Sequence, residues 1–407
     1  LSEPGTSCDN GLRCDGERDE CDESGQCVGT DPLCPEGACS RCDEASLSCF
    51  VAPAGEECRS AAGTCDVPEA CDGVSIDCPA DAYMPAGSLC DDEDPCTVDD
   101  ACDGLGACVG DPSAFVPPAP RPLAPESGEA TGSPWAPSAL GTLRPRLRWS
   151  WPGDGCAEPS FEIQVDDSCP VTGFQTCGFP SPEAVTTSAS GWAWRPDADL
   201  AVSREPPVGR RYFWRMRACR GAACSGWTSV WYLDVGRAPC DLNGDGYSDL
   251  VVGAYRQSDG AEEEGNVFVY LGGEGGVADT PSISLDNPEN CPWGRMGWKL
   301  STGDLDADGF MDLVVTASYQ NDAAGAAFLY MGAEQGPPTF PDMVFTNPEG
   351  QWSSGMGNSV TILRDADLDG FSDLVIGAPS HDGADPRVGA IFVYGGGPSG
   401  VDPSPAT

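Results

Sequence analysis

Three times in its C-terminal part the chain spells an acidic loop and runs straight into a strand-forming stretch. The text is DLNGDGYSDLVV from Asp241, DLDADGFMDLVV from Asp304 and DADLDGFSDLVI from Asp365. The shared pattern is Asp-x-(Asp/Asn)-x-Asp-Gly-x-x-Asp. Carboxylates packed this densely repel one another unless a cation sits among them or each points into water. Positions 1, 3 and 5 converge their side chains inside a tight loop, and the glycine at 6 allows the sharp turn. Residue 7 can offer its backbone carbonyl, and position 9 brings another carboxylate. That many hard oxygen donors suits Ca2+, which takes about 6–8 oxygens, better than the smaller, octahedral Mg2+. The expected ligand sets are Asp241, Asn243, Asp245, Tyr247 and Asp249; Asp304, Asp306, Asp308, Phe310 and Asp312; and Asp365, Asp367, Asp369, Phe371 and Asp373. Two other readings cover less of the pattern. An EF-hand needs a glutamate at position 12 and flanking helices, whereas position 12 here is Val252, Val315 or Ile376 in a β-branched run. Bare Asp-Gly turn chemistry explains one such loop but not five spaced donors in three loops.

The loops recur after 63 and then 61 residues, and flanking text recurs with them: GNVFVYLGG (265–273), GAAFLYMGA (325–333) and GAIFVYGGG (389–397). A period near 60 with β content marks a propeller-type repeat. Residues 240–407 resemble the FG-GAP repeat of the integrin α-subunit β-propeller. Gly377-Ala378-Pro379 keeps the second half of that signature, and Met296-Gly297 and Met356-Gly357 stand where the first half would be. The resemblance implies calcium at the loops, ions that brace the blades, and partner binding by loops on the other rim. Three loops fall short of the roughly 4–8 blades that close a propeller, and an open stack leaves apolar faces and strand edges in water. The expectation is that the chain continues beyond Thr407 or that another chain supplies the missing blades.

Cysteine constrains the other end. Of 23 cysteines, 16 fall in the first 108 residues. That density points to disulfides in an oxidising compartment. Zinc knuckles fit poorly, because Cys39 to Cys42 is the one close Cys-x-x-Cys and His381 the single histidine. The odd total leaves at least one thiol free or paired elsewhere. Residues 5–29 and 87–110 form an internal repeat of four cysteines each, at Cys8, Cys14, Cys21, Cys27 and Cys90, Cys96, Cys102, Cys108. Two bridges are expected inside each unit. Between them, residues 55–90 resemble the disintegrin-like domain of secreted metalloproteinases, through Cys58-Arg59, Cys65-Asp66, Glu69, Cys71-Asp72-Gly73 and DCPADAYMPAG from Asp77. The loop that carries Arg-Gly-Asp in that family reads RSAAGT here, so integrin binding is not carried over and a disulfide-stapled spacer is expected.

Residues 112–142, rich in Pro, Ala, Ser and Gly, read as a semi-rigid linker or an edge lead-in. Beyond them the text alternates: RPRLRWSW (144–151), FEIQVDD (161–167), YFWRMRA (212–218) and SVWYLDV (229–235). Period-two strands separated by Gly/Pro/Ser turns make an antiparallel sandwich. Trp149 on an early strand and Tyr212 on a late one resemble a fibronectin type III domain. Core tryptophans with a solvated arginine face are expected.

The organisation read from sequence is therefore mainly β. Disulfide-rich N-terminal modules (1–54, 55–111) precede a linker (112–142), an antiparallel β-sandwich (143–237) and a partial β-propeller with calcium loops (238–407). A formal net charge of −44 disfavours nucleic acid and anionic membrane surfaces as partners, and no run of about 18 apolar residues is present. No nucleophile elbow, His-Glu-x-x-His or phosphate loop appears, and the Asp clusters are committed to the loops, so no enzyme is expected. The expected role is a secreted or cell-surface calcium-binding protein for structure or adhesion, with other protein chains as partners. In its sharper form it is the subunit of an extracellular filament. The alternative is a non-catalytic targeting or binding module of a larger secreted hydrolase.

Overall fold

Alternation decides which face of each strand is buried. In Arg210–Arg220, Tyr212, Trp214, Met216 and Ala218 are each fully buried, while the arginines between them point the other way. The computed structural model describes residues 37–43, 48–112, 114–135, 141–189, 191–383 and 387–405, with three short strands at Ser7–Cys8, Asp19–Cys21 and Cys27–Gly29. It divides into two compact units. The first is Leu1–Phe115 with Asp154–Cys156, and the second is Val116–Gly153 with Ala157–Thr407.

The first unit is a series of short antiparallel ladders, among them Ser40–Asp43 with Ser48–Val51 and Val98–Cys102 with Cys108–Asp111. Its buried positions are mostly sulfur: Cys39, Cys65, Cys71 and Cys102, with Ala52. Disulfides join Cys39 to Cys71, Cys58 to Cys78, Cys65 to Cys102, Cys90 to Cys108 and Cys96 to Cys156. Cross-links replace the core that so few apolar residues cannot build. The second four-cysteine unit thus keeps one bridge inside itself, not two. Its hairpin pairs Cys108 back to Cys90, while Cys102 and Cys96 reach Cys65 and Cys156. The bridges expected among Cys8, Cys14, Cys21 and Cys27 lie outside the described residues.

The second unit opens with the β-sandwich. One sheet orders Arg121–Ala124, Leu147–Ser150 and Ala193–Trp194. The other orders Glu129–Ala130, Trp231–Val235, Arg210–Arg220, Ser160–Asp166 and Ala184–Ala189. Leu147, Trp149, Phe161, Ile163, Trp214 and Leu233 fill the space between. The 112–142 stretch is not a bare linker: it contributes two of these strands, and in the first of them Pro122 takes an edge-strand position where its missing N–H is harmless. Disulfides Cys169–Cys177 and Cys219–Cys224, eight and five residues apart, clip loops. The arginine face is not bare: Trp227 lies 4.5 Å from both Arg215 and Arg217, and Arg217 pairs with Glu162 at 2.6 Å.

A partial propeller follows. The first repeat is a meander of Leu250–Ala254, Asn266–Tyr270 and Ile283–Asp286. The second has four strands, Leu300–Gly303, Asp312–Ala317, Ala326–Tyr330 and Met343–Thr346. The third has Ser359–Leu363, Asp373–Ala378 and Ala390–Tyr394. Equivalent positions alternate between two inter-blade cores. Leu313, Val315, Phe328 and Tyr330 pack against Val267 and Val269 of the first repeat, while Val314, Ala327 and Leu329 pack against Leu374, Ile376 and Phe392 of the third. Met296 and Met356, the residues in place of the family's phenylalanine, are fully buried in these two cores. Among the described residues no helix is long and apolar enough to cross a membrane.

Candidate metal centres

The strand after each loop fixes the loop. Leu313 and Leu374 are packed between blades and hold position 9 at the strand's start, and Asp249, Asp312 and Asp373 are all buried. Their carboxylates do the same job three times. The N–H groups of Leu242, Leu305 and Ala366 donate to one oxygen at 2.7, 2.8 and 2.7 Å. The N–H groups of Gly272, Gly332 and Gly396 donate to the other at 2.8, 2.9 and 3.3 Å. One carboxylate thereby closes its own loop and ties it to the end of the neighbouring strand. The three glycines were visible only as repeated text. A Cβ on Gly332 would lie 2.5 Å from the Met311 carbonyl oxygen, and Gly272 and Gly396 face the Ser248 and Ser372 carbonyls in the same way.

Inside each loop, position 5 accepts from the N–H of position 7: Tyr247 at 2.9, Phe310 at 2.8 and Phe371 at 2.9 Å. Position 6 is left-handed throughout, with φ 87° at Gly246, 101° at Gly309 and 105° at Gly370. Position 4 is left-handed too, but at Ala307 and Leu368 the residue is not glycine. That conformation costs an L-residue about 1–2 kcal/mol, so the surroundings hold the loop in shape.

Position 1 differs between loops. Asp241 accepts from the N–H groups of Asp245 at 3.1 Å and Gly246 at 2.8 Å. Asp304 gives one oxygen to the Arg237 guanidinium at 2.9 Å, and its other oxygen is buried without a partner. Asp365 is buried with no well-formed hydrogen bond to either oxygen, although the Asp369 and Gly370 amides are near. A buried, unpaired carboxylate oxygen is costly. Burial pushes Asp241 up to about 7 and Asp308 up to about 6, helped by the neighbouring loop carboxylates. Burial likewise raises Asp249, Asp312, Asp365, Asp369 and Asp373 above the usual range. Asp304 is also raised, with Arg237 and Arg211 opposing the effect of burial. Acidic clusters driven toward protonation by their own burial fit a bound cation as the missing counter-charge.

The sandwich meets all three loops. Trp135 Nε1 donates to the Asp245 carbonyl at 2.9 Å and the Val208 N–H to the Gly244 carbonyl at 2.7 Å. Arg237 reaches Asp304, and Arg211 donates to the Gly370 carbonyl at 2.7 Å. Nothing local in the sequence marked Trp135, Val208, Arg211 or Arg237 for this role. His381, the single histidine, is buried: its loop folds back on the preceding repeat, with Nδ1 3.1 Å from Asn347 Nδ2 and Nε2 3.2 Å from Glu349. Among the described residues, Cys240 and Cys291 are free thiols.

Residues 241–315 match the FG-GAP-like repeat family and residues 356–394 the FG-GAP repeat family. Integrin α chains are among the curated relatives. Integrin alpha-4 of Xenopus laevis is 37% identical over 153 residues, covering 37% of this chain and 15% of that protein. Integrin alpha-5 of the same species is 36% identical over 159 residues, 36% of this chain and 15% of that protein. Integrin alpha-IIb of Mus musculus is 30% identical over 210 residues, 49% of this chain and 19% of that protein. The match thus spans under a fifth of the length of these relatives. The chain carries integrin-like FG-GAP repeats on a mainly β, disulfide-rich scaffold.

Proposed function

We propose that this is an extracellular, calcium-braced modular protein of adhesive or structural type. The observation that carries it is the recurrence of one acidic loop between packed blades, with buried carboxylate oxygens at Asp304 and Asp365 that have no partner. The fifteen loop residues Asp241 to Asp373 are its proposed ligands, and Tyr247, Phe310 and Phe371 act through their carbonyls. Ca2+ supplies the counter-charge that locks each loop, and with it the start of each blade's second strand. The disulfide-rich first unit supports an oxidising, extracellular setting. The two facing sheets of the sandwich support a fibronectin type III-like module, with its first strand at Arg121–Ala124, and the 55–90 segment is kept as a disintegrin-like spacer. Other protein chains are the proposed partners, self-association among them.

The test is calorimetric titration of calcium into chelated protein, with thermal unfolding alongside. Three cations per chain are expected, each adding about 2.7 kcal/mol at a hundredfold excess over Kd. A melting temperature that does not respond to calcium, together with no heat of binding, overturns the reading.

A further inference from the structure

The second and third loops contain four aspartates each, yet their first ligands are treated differently. Asp365 has no charged partner, whereas Asp304 is bound by Arg237 at 2.9 Å and approached by Arg211 at 3.7 Å. Both arginines also hold Asp234. Arg211 makes two bonds to it at 3.0 and 3.2 Å, and Arg237 lies 3.2 Å away. Arg211, Arg237 and Asp234 together carry one net positive charge, all three belong to the sandwich, and all are buried where water screens little.

We propose that Asp304 is shared, with Oδ2 held by Arg237 and Oδ1 left for the cation. The second loop is then a weakened cation site, antagonistically coupled to the sandwich through Arg237. The inference rests on the calcium reading above. A guanidinium on a metal-ligating carboxylate withdraws part of its charge and repels the ion directly. At this burial that repulsion outweighs the small gain from holding the carboxylate still. Linkage is reciprocal, so an ion at the second loop loosens the Arg237–Asp304 tie by as much as the tie weakens the ion. The third loop, with the same count of aspartates and no arginine on Asp365, is the internal reference.

The experiment is calcium titration of the whole chain and four variants, with melting temperatures in chelator and in saturating calcium. Arg237→Met should tighten one site by about tenfold or more. Arg237→Lys should leave that site near the parental value. Asp234→Asn, which frees the guanidinium charge, should weaken the site further. Asp306→Asn combined with Asp308→Asn should abolish the site that Arg237 moves, assigning it to the second loop. Arg237→Met should also cost more melting temperature in chelator than in calcium. Sites that ignore Arg237 and Asp234, or an equal melting cost in both conditions, overturn the inference while leaving the calcium reading intact. No calcium binding in the parent overturns that reading instead.

Discussion

Aspartate at position 9 and aspartate at position 1 are the same residue in different trades. Asp312 has its oxygens committed to the Leu305 and Gly332 amides, so it shapes the loop whether or not an ion is present. Asp241 is pushed up to about 7, chiefly by burial. A folded-state value above the unfolded one, about 4, means a contribution that is full below pH 4 and is lost as pH rises through 7. In chelator, Asp241→Asn should therefore melt several degrees above the parent at pH 8 but not at pH 4. In calcium at pH 8 the order should reverse, and melts at both pH values check it. Glycine at position 6 makes a second prediction. As a control outside the acidic loops, Gly276→Ala meets strain alone, at φ 100° with open space around it, and should cost about 1 kcal/mol. A Cβ on Gly309 would also lie 2.7 Å from Arg237 Nη2 and 3.0 Å from Pro207. Gly309→Ala should cost about 2 kcal/mol or more in denaturant titration. The candidate ligands were readable because their spacing is local. Arg237, 67 positions from Asp304, left no such trace.

At the scale of elements, period-two alternation was enough to find four of the sandwich strands and to say which side of Leu147, Trp149, Tyr212 and Trp214 is buried. It could not see that Arg121–Ala124 pairs with Leu147–Ser150, because a short, proline-containing edge strand has no alternation of its own. Nor could it bury His381, whose position depends on a contact with the preceding repeat. The structure makes that contact intelligible. One repeat earlier, Gln320 occupies the equivalent place, accepting from Asn287 at 3.0 Å and donating to Glu289 at 2.7 Å. Imidazole and amide present similar polar groups to the same Asn-Pro-Glu turn. His381→Gln should therefore change stability by less than about 1 kcal/mol. His381→Ala, which takes away the ring and one acceptor of the Asn347 amide, should cost about 1–3 kcal/mol by denaturant titration.

Over the whole chain, what sequence could not supply was pairing at a distance. Cysteine spacing announced disulfides, but the partnerships of Cys65 with Cys102 and Cys96 with Cys156 follow from the folded path. The two ends of the blade stack show the complementary case. Ile391 is 73% exposed, whereas Ala327, at the same register one repeat earlier, is fully buried. Leu250 and Val252 are likewise exposed on the first repeat, where Leu313 and Val315 of the second are buried. If copies of the chain assemble through these faces, sedimentation at rising concentration should show association that Ile391→Lys abolishes. Electron microscopy should show polymers that chelator disperses, and monodisperse particles under all conditions end the filament reading. The sandwich adds a mechanical consequence. Its second strand, Glu129–Ala130, lies parallel to its last, Trp231–Val235. The Gly128, Thr131 and Gly132 amides are bonded across to Tyr232, Asp234 and Arg237. Tension carried between these two strands would load those bonds in shear, so that they must fail together and not unzip one after another.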